Sequence, residues 1–246
     1  MMGGSMKEKI LVLGRGEIAR SLFDICKQTE LSVTFLESAD ELGPQLRDTD
    51  IIVQFVADGL ELPHLKESDF IGKYKVWLIE VIDQSVTRAA GRMGCSERIV
   101  GFSISKSFQE RRFIEVIGGE RTGSDAVTTA RNLFERLQFT VVISKDHPGY
   151  ILNRVVASMI NEAIYVSMYG LAQMEDIDQM MRLGANFPMG PFEYADYLGL
   201  DRVLKTLEWL AEELGPQYRP CPLLRRKVEA GLLGKKTGKG FYEYGI

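Results

Sequence analysis

Gly14, Gly16 and Ala19, in ILVLGRGEIARSL, stand at G-x-G-x-x-A spacing directly after an apolar run and at the opening of an amphipathic one. That spacing in that position suits a pyrophosphate: the glycines allow a tight turn, and the N–H groups and dipole of the following helix face an anion. Glu37 closes the next apolar run about 20 residues on, where a carboxylate accepts hydrogen bonds from a ribose 2′-hydroxyl and repels a 2′-phosphate, which favours NAD over NADP. The competing reading is a strand-to-helix turn that holds no ligand. Glu17, in the first helical turn, opposes the phosphates even though the dipole accepts an acid there. Arg15 either offsets that charge or is solvated.

A second chemical candidate lies in RRFIEVIGG, residues 111–119, where Glu115 interrupts an apolar strand. Alternation puts its side chain on the face of Phe113 and Ile117, and burying an ionised carboxylate there is costly unless something pairs with it. Either that face meets water or Glu115 has a partner. The strand alone leaves both open.

The elements that must position these residues fall into two regimes that change near Asp146. Up to Ser144, seven apolar runs (KILVLG, SVTFLE, DIIVQFV, KVWLIEV, RIVGFS, RFIEVI and FTVVIS) predict strands, most of them of the kind buried on both faces of a parallel sheet. Helical segments, notably EIARSLFDICKQ and SDAVTTARNLFERLQ, alternate with them, which implies a doubly wound, Rossmann-type α/β sheet. After Asp146 the long segments show helical spacing and no strand is expected before the terminal FYEY. The expected organisation is a dinucleotide-binding domain over residues 6–145 and an all-α domain over 146–246. Met159, Met168, Met174, Met180 and Met181 are expected to fill the helical core.

Composition excludes several partners. Thirty basic against 34 acidic residues give a net charge of −4 with no basic block, which argues against nucleic acid. Cys26, Cys95 and Cys221 are odd in number and far apart, which suits reduced cytoplasmic thiols and neither a disulfide framework nor a metal site. No apolar run approaches the roughly 20 residues of a spanning helix, and the start lacks a cleavable signal, so a membrane location is not expected. The opening MMGGS is read as a cloning remnant.

Three segments carry a resemblance to a known family. DHPGYILNRVVASMINEAIYV, MEDIDQMMRLGANFPMGPFEYADYLGLD and KKTGKGFYEY resemble the carboxyl-terminal domain of the 3-hydroxyacyl-CoA dehydrogenases, which include the 3-hydroxybutyryl-CoA enzymes. The likeness covers nearly all of residues 97–243, and the glycine-rich turn and DIIVQFVAD align with that family's cofactor domain. The resemblance implies an NAD-dependent oxidoreductase of fatty acid metabolism that converts the 3-hydroxyl of an acyl-CoA to a ketone, or the reverse, as a homodimer joined through the helical domain. It places cofactor contacts at Gly14, Arg15, Gly16, Glu17, Ile18, Ala19, Glu37, Val56, Ala57 and Asp58.

The same resemblance gives Glu115 a role. In the family, a carboxylate twelve residues after the catalytic His orients that imidazole, and Glu115 matches it. The position of the His is occupied here by Ser103, and that of a following Asn by Lys106. A serine hydroxyl takes no proton near neutrality without a base of its own. The family's Ser-Asn-Thr-Ser-Ser segment corresponds to Ile79-Glu80-Val81-Ile82-Asp83, whereas Asn153 matches the family's active-site Asn. Between Glu37 and Asp50 the family's helical hairpin over the CoA site is reduced to SADELGPQLRDT, which puts CoA binding in question. Of the two histidines, His147 is expected at a hinge spanning Asp146 to Gly149, and His64 in an exposed loop or at a helix start.

Three functions follow. The first is a 3-hydroxyacyl-CoA dehydrogenase weakened by the loss of its general base, the second a non-catalytic NAD-binding regulator, and the third a dehydrogenase for a non-CoA hydroxy acid.

Overall fold

Each of the seven apolar runs forms a strand. In the computed structural model, which describes residues 8–46, 48–56, 76–94, 96–104 and 111–245, these are β1 (Lys9–Leu13), β2 (Ser32–Leu36), β3 (Ile51–Gln54), β4 (Val76–Glu80), β5 (Ile99–Ser103), β6 (Phe113–Gly118) and β7 (Thr140–Lys145). They join in one sheet of order β2-β1-β3-β4-β5-β6-β7. The first five strands run parallel, β6 lies antiparallel to β5, and β7 is parallel to β6. Uniform burial holds for β3, β4 and β5, while the edge strands β2 and β7 keep exposed positions because each has a neighbour on one side only.

Helix α1 (Gly16–Lys27) buries Ala19, Leu22, Ile25 and Cys26, a stripe at three- and four-residue spacing. With α4 (Ser124–Arg136) it covers the sheet face that carries Ile10, Val12, Val53, Leu78, Phe102 and Val116. Between β2 and β3 the chain makes a 3₁₀ turn, Ala39–Glu41, and a short helix α2 (Leu42–Leu46). The opposite face receives α3 (Val86–Met93), close enough that a Cβ on Gly101 would lie 2.3 Å from a Val86 methyl. Asp146, just past β7, fastens the start of α3. Its carboxylate accepts from the Val86 N–H at 2.9 Å, the Thr87 N–H at 2.8 Å and the Thr87 hydroxyl at 2.6 Å.

The described residues form two compact units that adjoin in the chain between His147 and Pro148. The second unit contains α5 (Leu152–Met168), α6 (Met174–Gly184), α7 (Pro191–Leu198), α8 (Leu200–Leu214) and α9 (Pro222–Glu229). Ile160, Ile164, Phe192, Leu200, Leu207 and Leu224 form the fully buried part of its core. Two buried carboxylates fasten the elements around that core. Asp178 of α6 accepts from the N–H groups of Phe192 and Glu193, at 2.8 and 3.1 Å, and so caps α7 from outside. It also accepts from the Tyr242 hydroxyl at 2.9 Å. Asp196 of α7 accepts from the N–H groups of Phe241 and Tyr242, both at 2.9 Å, and from the Tyr244 hydroxyl at 3.0 Å. Burial first, and then the carboxylates they face, push the Tyr242 and Tyr244 phenols above the usual tyrosine range.

Two expectations are corrected here. FYEY does not form a strand: the segment makes isolated bridges at Lys239 with Gly234 and Glu243, the Phe241 and Tyr242 N–H groups donate to Asp196, and that of Tyr244 donates to the Gly238 carbonyl. The methionines do not all fill the core. Met180 is exposed because α6 turns Ile177 and Asp178 inward and leaves Met180 and Leu183 off that stripe, and Met168 is also partly open.

Replacing Asp196 by Ala leaves the buried Phe241 and Tyr242 N–H groups without their acceptor. The expected loss is about 2–3 kcal/mol for the second unit, read as an earlier urea or thermal transition by circular dichroism. An unchanged transition would refute the fastening role.

Candidate active site

Polar side chains buried in the sheet gather at one edge. Gln54, Glu80 and Ser103 are the last residues of β3, β4 and β5, and Glu115 lies near the start of β6, which runs the other way. All four are therefore near the carboxyl ends of the parallel strands, the edge at which open α/β sheets bind ligands. The strand order reverses between β1 and β3, and the glycine-rich turn follows β1 at that point.

The turn is built for close approach. The Gly14 N–H donates to the Leu36 carbonyl at 3.0 Å, and the Phe55 N–H donates to the Leu13 carbonyl at 2.8 Å, so β2 and β3 flank the turn. A Cβ at Gly14 would lie 2.8 Å from Phe55 Cβ and 3.0 Å from Ala19 Cβ. Gly16 has φ +83°, a conformation that glycine adopts without the steric cost of a side chain. Arg15 is the extended N-cap of α1, and no side chain among the described residues caps that helix, so its first N–H groups face outward for an anion. Ala19 is buried and Ile18 half-buried against the core, so they shape the turn from beneath. Glu17 is exposed in the first helical turn.

Glu37 follows the last residue of β2. Its carboxylate takes a hydrogen-bonded ion pair from Arg20 of α1, and its carbonyl accepts from Arg15 Nε at 3.1 Å. The reading of the sequence missed Arg20. Its one signal was its place one helical turn past Gly16, where a side chain reaches the end of β2. Val56 follows β3 and is half-buried, while Ala57 and Asp58 lie outside the described residues. The glycine turn, the open start of α1 and the carboxylate beyond β2 together fit a dinucleotide.

Glu115 and Ser103 are brought together. They are directly opposed in the antiparallel β5–β6 register, and both are buried, at 7% and 6% exposure. Paired positions share a face of the sheet, so the alternative of a solvated Glu115 falls. On its other side Glu115 is in register with Val142 of the edge strand, which is 45% exposed, so the row runs from the covered sheet toward its open margin. Glu80 is in register with Phe102 and therefore projects on the face opposite to Ser103. The segment Ile79–Asp83 thus contributes a second buried carboxylate on the far side of the sheet.

The remaining candidates lie elsewhere. Asn153 is in the first turn of α5, in the second unit. His147 is exposed, between Asp146, which is tied to α3, and Tyr150, whose ring meets Trp209 edge-on at 5.6 Å. Lys106 and His64 lie outside the described residues. Among the described residues no helix is long and apolar enough to cross a membrane.

Comparison with known proteins agrees with this layout. Residues 149–244 match the family model described as 3-hydroxyacyl-CoA dehydrogenase, C-terminal domain. The chain is 36% identical over 225 residues to a probable 3-hydroxybutyryl-CoA dehydrogenase of Bacillus subtilis (strain 168), covering 89% of this chain and 78% of the relative. It is 36% identical over 210 residues to a 3-hydroxybutyryl-CoA dehydrogenase of Bradyrhizobium diazoefficiens, covering 84% and 72%. Among solved structures, the (S)-3-hydroxybutyryl-CoA dehydrogenase of Ralstonia eutropha superposes with a TM-score of 0.85 at 26% identity, covering 98% of this chain and 100% of that one.

Gly14→Ala forces β3 and α1 apart at the turn. The expected result is roughly tenfold weaker NADH binding, since the second-row contacts of this turn set its approach to the pyrophosphate. Titration of NADH fluorescence measures it, and unchanged affinity would count against the turn as the binding point.

Proposed function

Because this chain belongs to the 3-hydroxyacyl-CoA dehydrogenase family, we propose that it interconverts 3-hydroxyacyl-CoA and 3-oxoacyl-CoA with NAD, at a rate reduced by the missing imidazole. The observation that carries this reading is the opposition of Ser103 and Glu115 at the carboxyl edge of the sheet. Gly14 to Ala19 would hold the pyrophosphate of NAD and Glu37 its ribose hydroxyls, and the dinucleotide would supply the hydride exchange with C3 of the substrate. As C3 is oxidised, the hydroxyl proton of the substrate passes to Ser103 Oγ while the proton of Ser103 passes to Glu115, so the carboxylate ends protonated. The resemblance to the family assigns Asn153 to substrate positioning.

A hydroxyl relay is poorer than a base matched to the operating pH. Loss of a general base lowers rates by about 10²–10⁴, and that is the expected deficit relative to the His-bearing relatives. The short β2–β3 connection favours one alternative, a non-CoA hydroxy acid as substrate, and Ser103 favours another, a dinucleotide-binding regulator that does no chemistry. We infer a cytoplasmic location, a reading that the free thiols among the described residues support. Cys26 and Cys221 are free buried thiols, and burial pushes Cys26 up to about 12, which keeps it protonated and inert.

A second copy of the chain is the expected partner. Ile151 and Val155 at the start of α5, and Met180 and Leu183 on α6, are large apolar side chains each more than half exposed, and burying them supports association with a second copy.

The decisive assay mixes the protein with NADH and acetoacetyl-CoA, with the free acid in a parallel arm. Slow NADH oxidation that depends on the thioester is expected, raised about tenfold or more in Ser103→His by the restored imidazole–carboxylate pair, and lowered by Glu115→Gln. NADH binding without turnover in either protein would favour the regulator, and preference for the free acid would favour the non-CoA enzyme. Light scattering on a sizing column tests the assembly: a dimer is expected, with Leu183→Glu shifting it to monomer. A monomeric wild type refutes the dimer.

A further inference from the structure

The dinucleotide end of the sheet holds a charge arrangement that the glycine turn does not require. Arg20, one turn into α1, donates to the Glu37 carboxylate, and its guanidinium carbon lies 5.5 Å from the centroid of the Phe35 ring. That ring is itself packed on Phe23, centroid to centroid 5.2 Å, so the aromatic pair forms a fixed platform beneath the guanidinium. Arg15 reaches the same residue, its Nε donating to the Glu37 carbonyl at 3.1 Å. One guanidinium is therefore on the Glu37 carboxylate and a second on its main chain. Ser38, next in the chain, turns its hydroxyl away to Asp40 at 2.9 Å.

A carboxylate at this point prefers the ribose diol, whereas an arginine beside it accommodates a 2′-phosphate, with a planar fork that matches phosphate oxygens. Here both occur together. The Arg20 and Glu37 side chains are 65% and 54% exposed, and an ion pair this open adds little stability, so the guanidinium is released easily if the acid is removed.

We propose that Arg20, supported by Arg15, forms a latent 2′-phosphate site at the end of β2 that Glu37 keeps closed. Arg20 holds the acid in position for the ribose hydroxyls in the native protein. Once Glu37 is replaced by a short neutral side chain, the same guanidinium takes the 2′-phosphate. This inference rests on the dinucleotide reading of the turn and adds to it the cation that takes a 2′-phosphate once Glu37 is gone.

The test is binding, measured by fluorescence titration with NADH and with NADPH on the full-length protein and three variants. The wild type is expected to prefer NADH. Glu37→Ser is expected to bind NADPH at least about tenfold more tightly than the wild type does, a gain typical of one good charge-assisted contact. Adding Arg20→Gln to that variant is expected to remove the gain, and Arg20→Gln alone is expected to weaken NADH binding several-fold while leaving NADPH weak. Circular dichroism spectra and thermal transitions that match the wild type show that each variant is judged on a folded protein. If Glu37→Ser gains nothing, or keeps its gain without Arg20, the proposal is overturned while the dinucleotide reading survives. A wild type that binds neither nucleotide overturns both.

Discussion

A sheet covered on both faces has almost no place for a charge except at the ends of its strands, and that constraint organises the first unit. Backbone groups in β3, β4 and β5 are paired on both sides, and their side chains are sealed by α1 and α4 on one face and α3 on the other. An ionised group in the middle of such a layer would lose its hydration without compensation. Gln54, Glu80, Ser103 and Glu115 accordingly lie at one edge, where the strands end. The antiparallel turn-back of β6 adds the last of them, because only a strand running the opposite way can bring a residue from its beginning to the edge where its neighbours finish.

The same physics produces a different answer in the helical unit. Helices leave unsatisfied N–H groups at their starts, and irregular segments leave more. Asp178 and Asp196 are buried and satisfy those groups at α7 and along Phe241–Tyr242, with the Tyr242 and Tyr244 hydroxyls completing the carboxylate shells. Several donors converge on each of these acids, which offsets the cost of burying them. Their work is fastening, and it ties the carboxyl-terminal segment to a helix about forty residues earlier. Close contacts at Gly234 and Gly240, where any Cβ would strike Asp196, are the geometric counterpart of that convergence.

Glu115 and Glu37 make the contrast clear. Glu115 is enclosed between strands and faces a serine in register, so its environment is set by the sheet. Glu37 is at the surface and its environment is set by two arginines. One carboxylate is positioned by burial and the other by charge, and the chemistry proposed for each follows from that difference: proton transfer where water is excluded, and discrimination between ligands where charge is on display.

Periodicity in the chain determined a great deal by itself. Seven apolar runs became seven strands, EIARSLFDICKQ and MEDIDQMMRLG became helices, and the glycine spacing after β1 lies at the strand-order reversal. These are local properties: apolar alternation and a tight turn depend on neighbours in sequence, so they can be read there. Short helices such as α7 and α9, the capping of α7 by Asp178, and the loss of FYEY as a strand were not legible, since each depends on a donor or acceptor far away in the chain. Burial of Glu115 and the Arg20–Glu37 pair were also decided only by tertiary structure. The sequence showed an acid among apolar residues, and the family resemblance put Ser103 at the position of its partner, but that β5 lies across from Glu115 with Ser103 directly opposed is a matter of register, and register exists only once the sheet has formed.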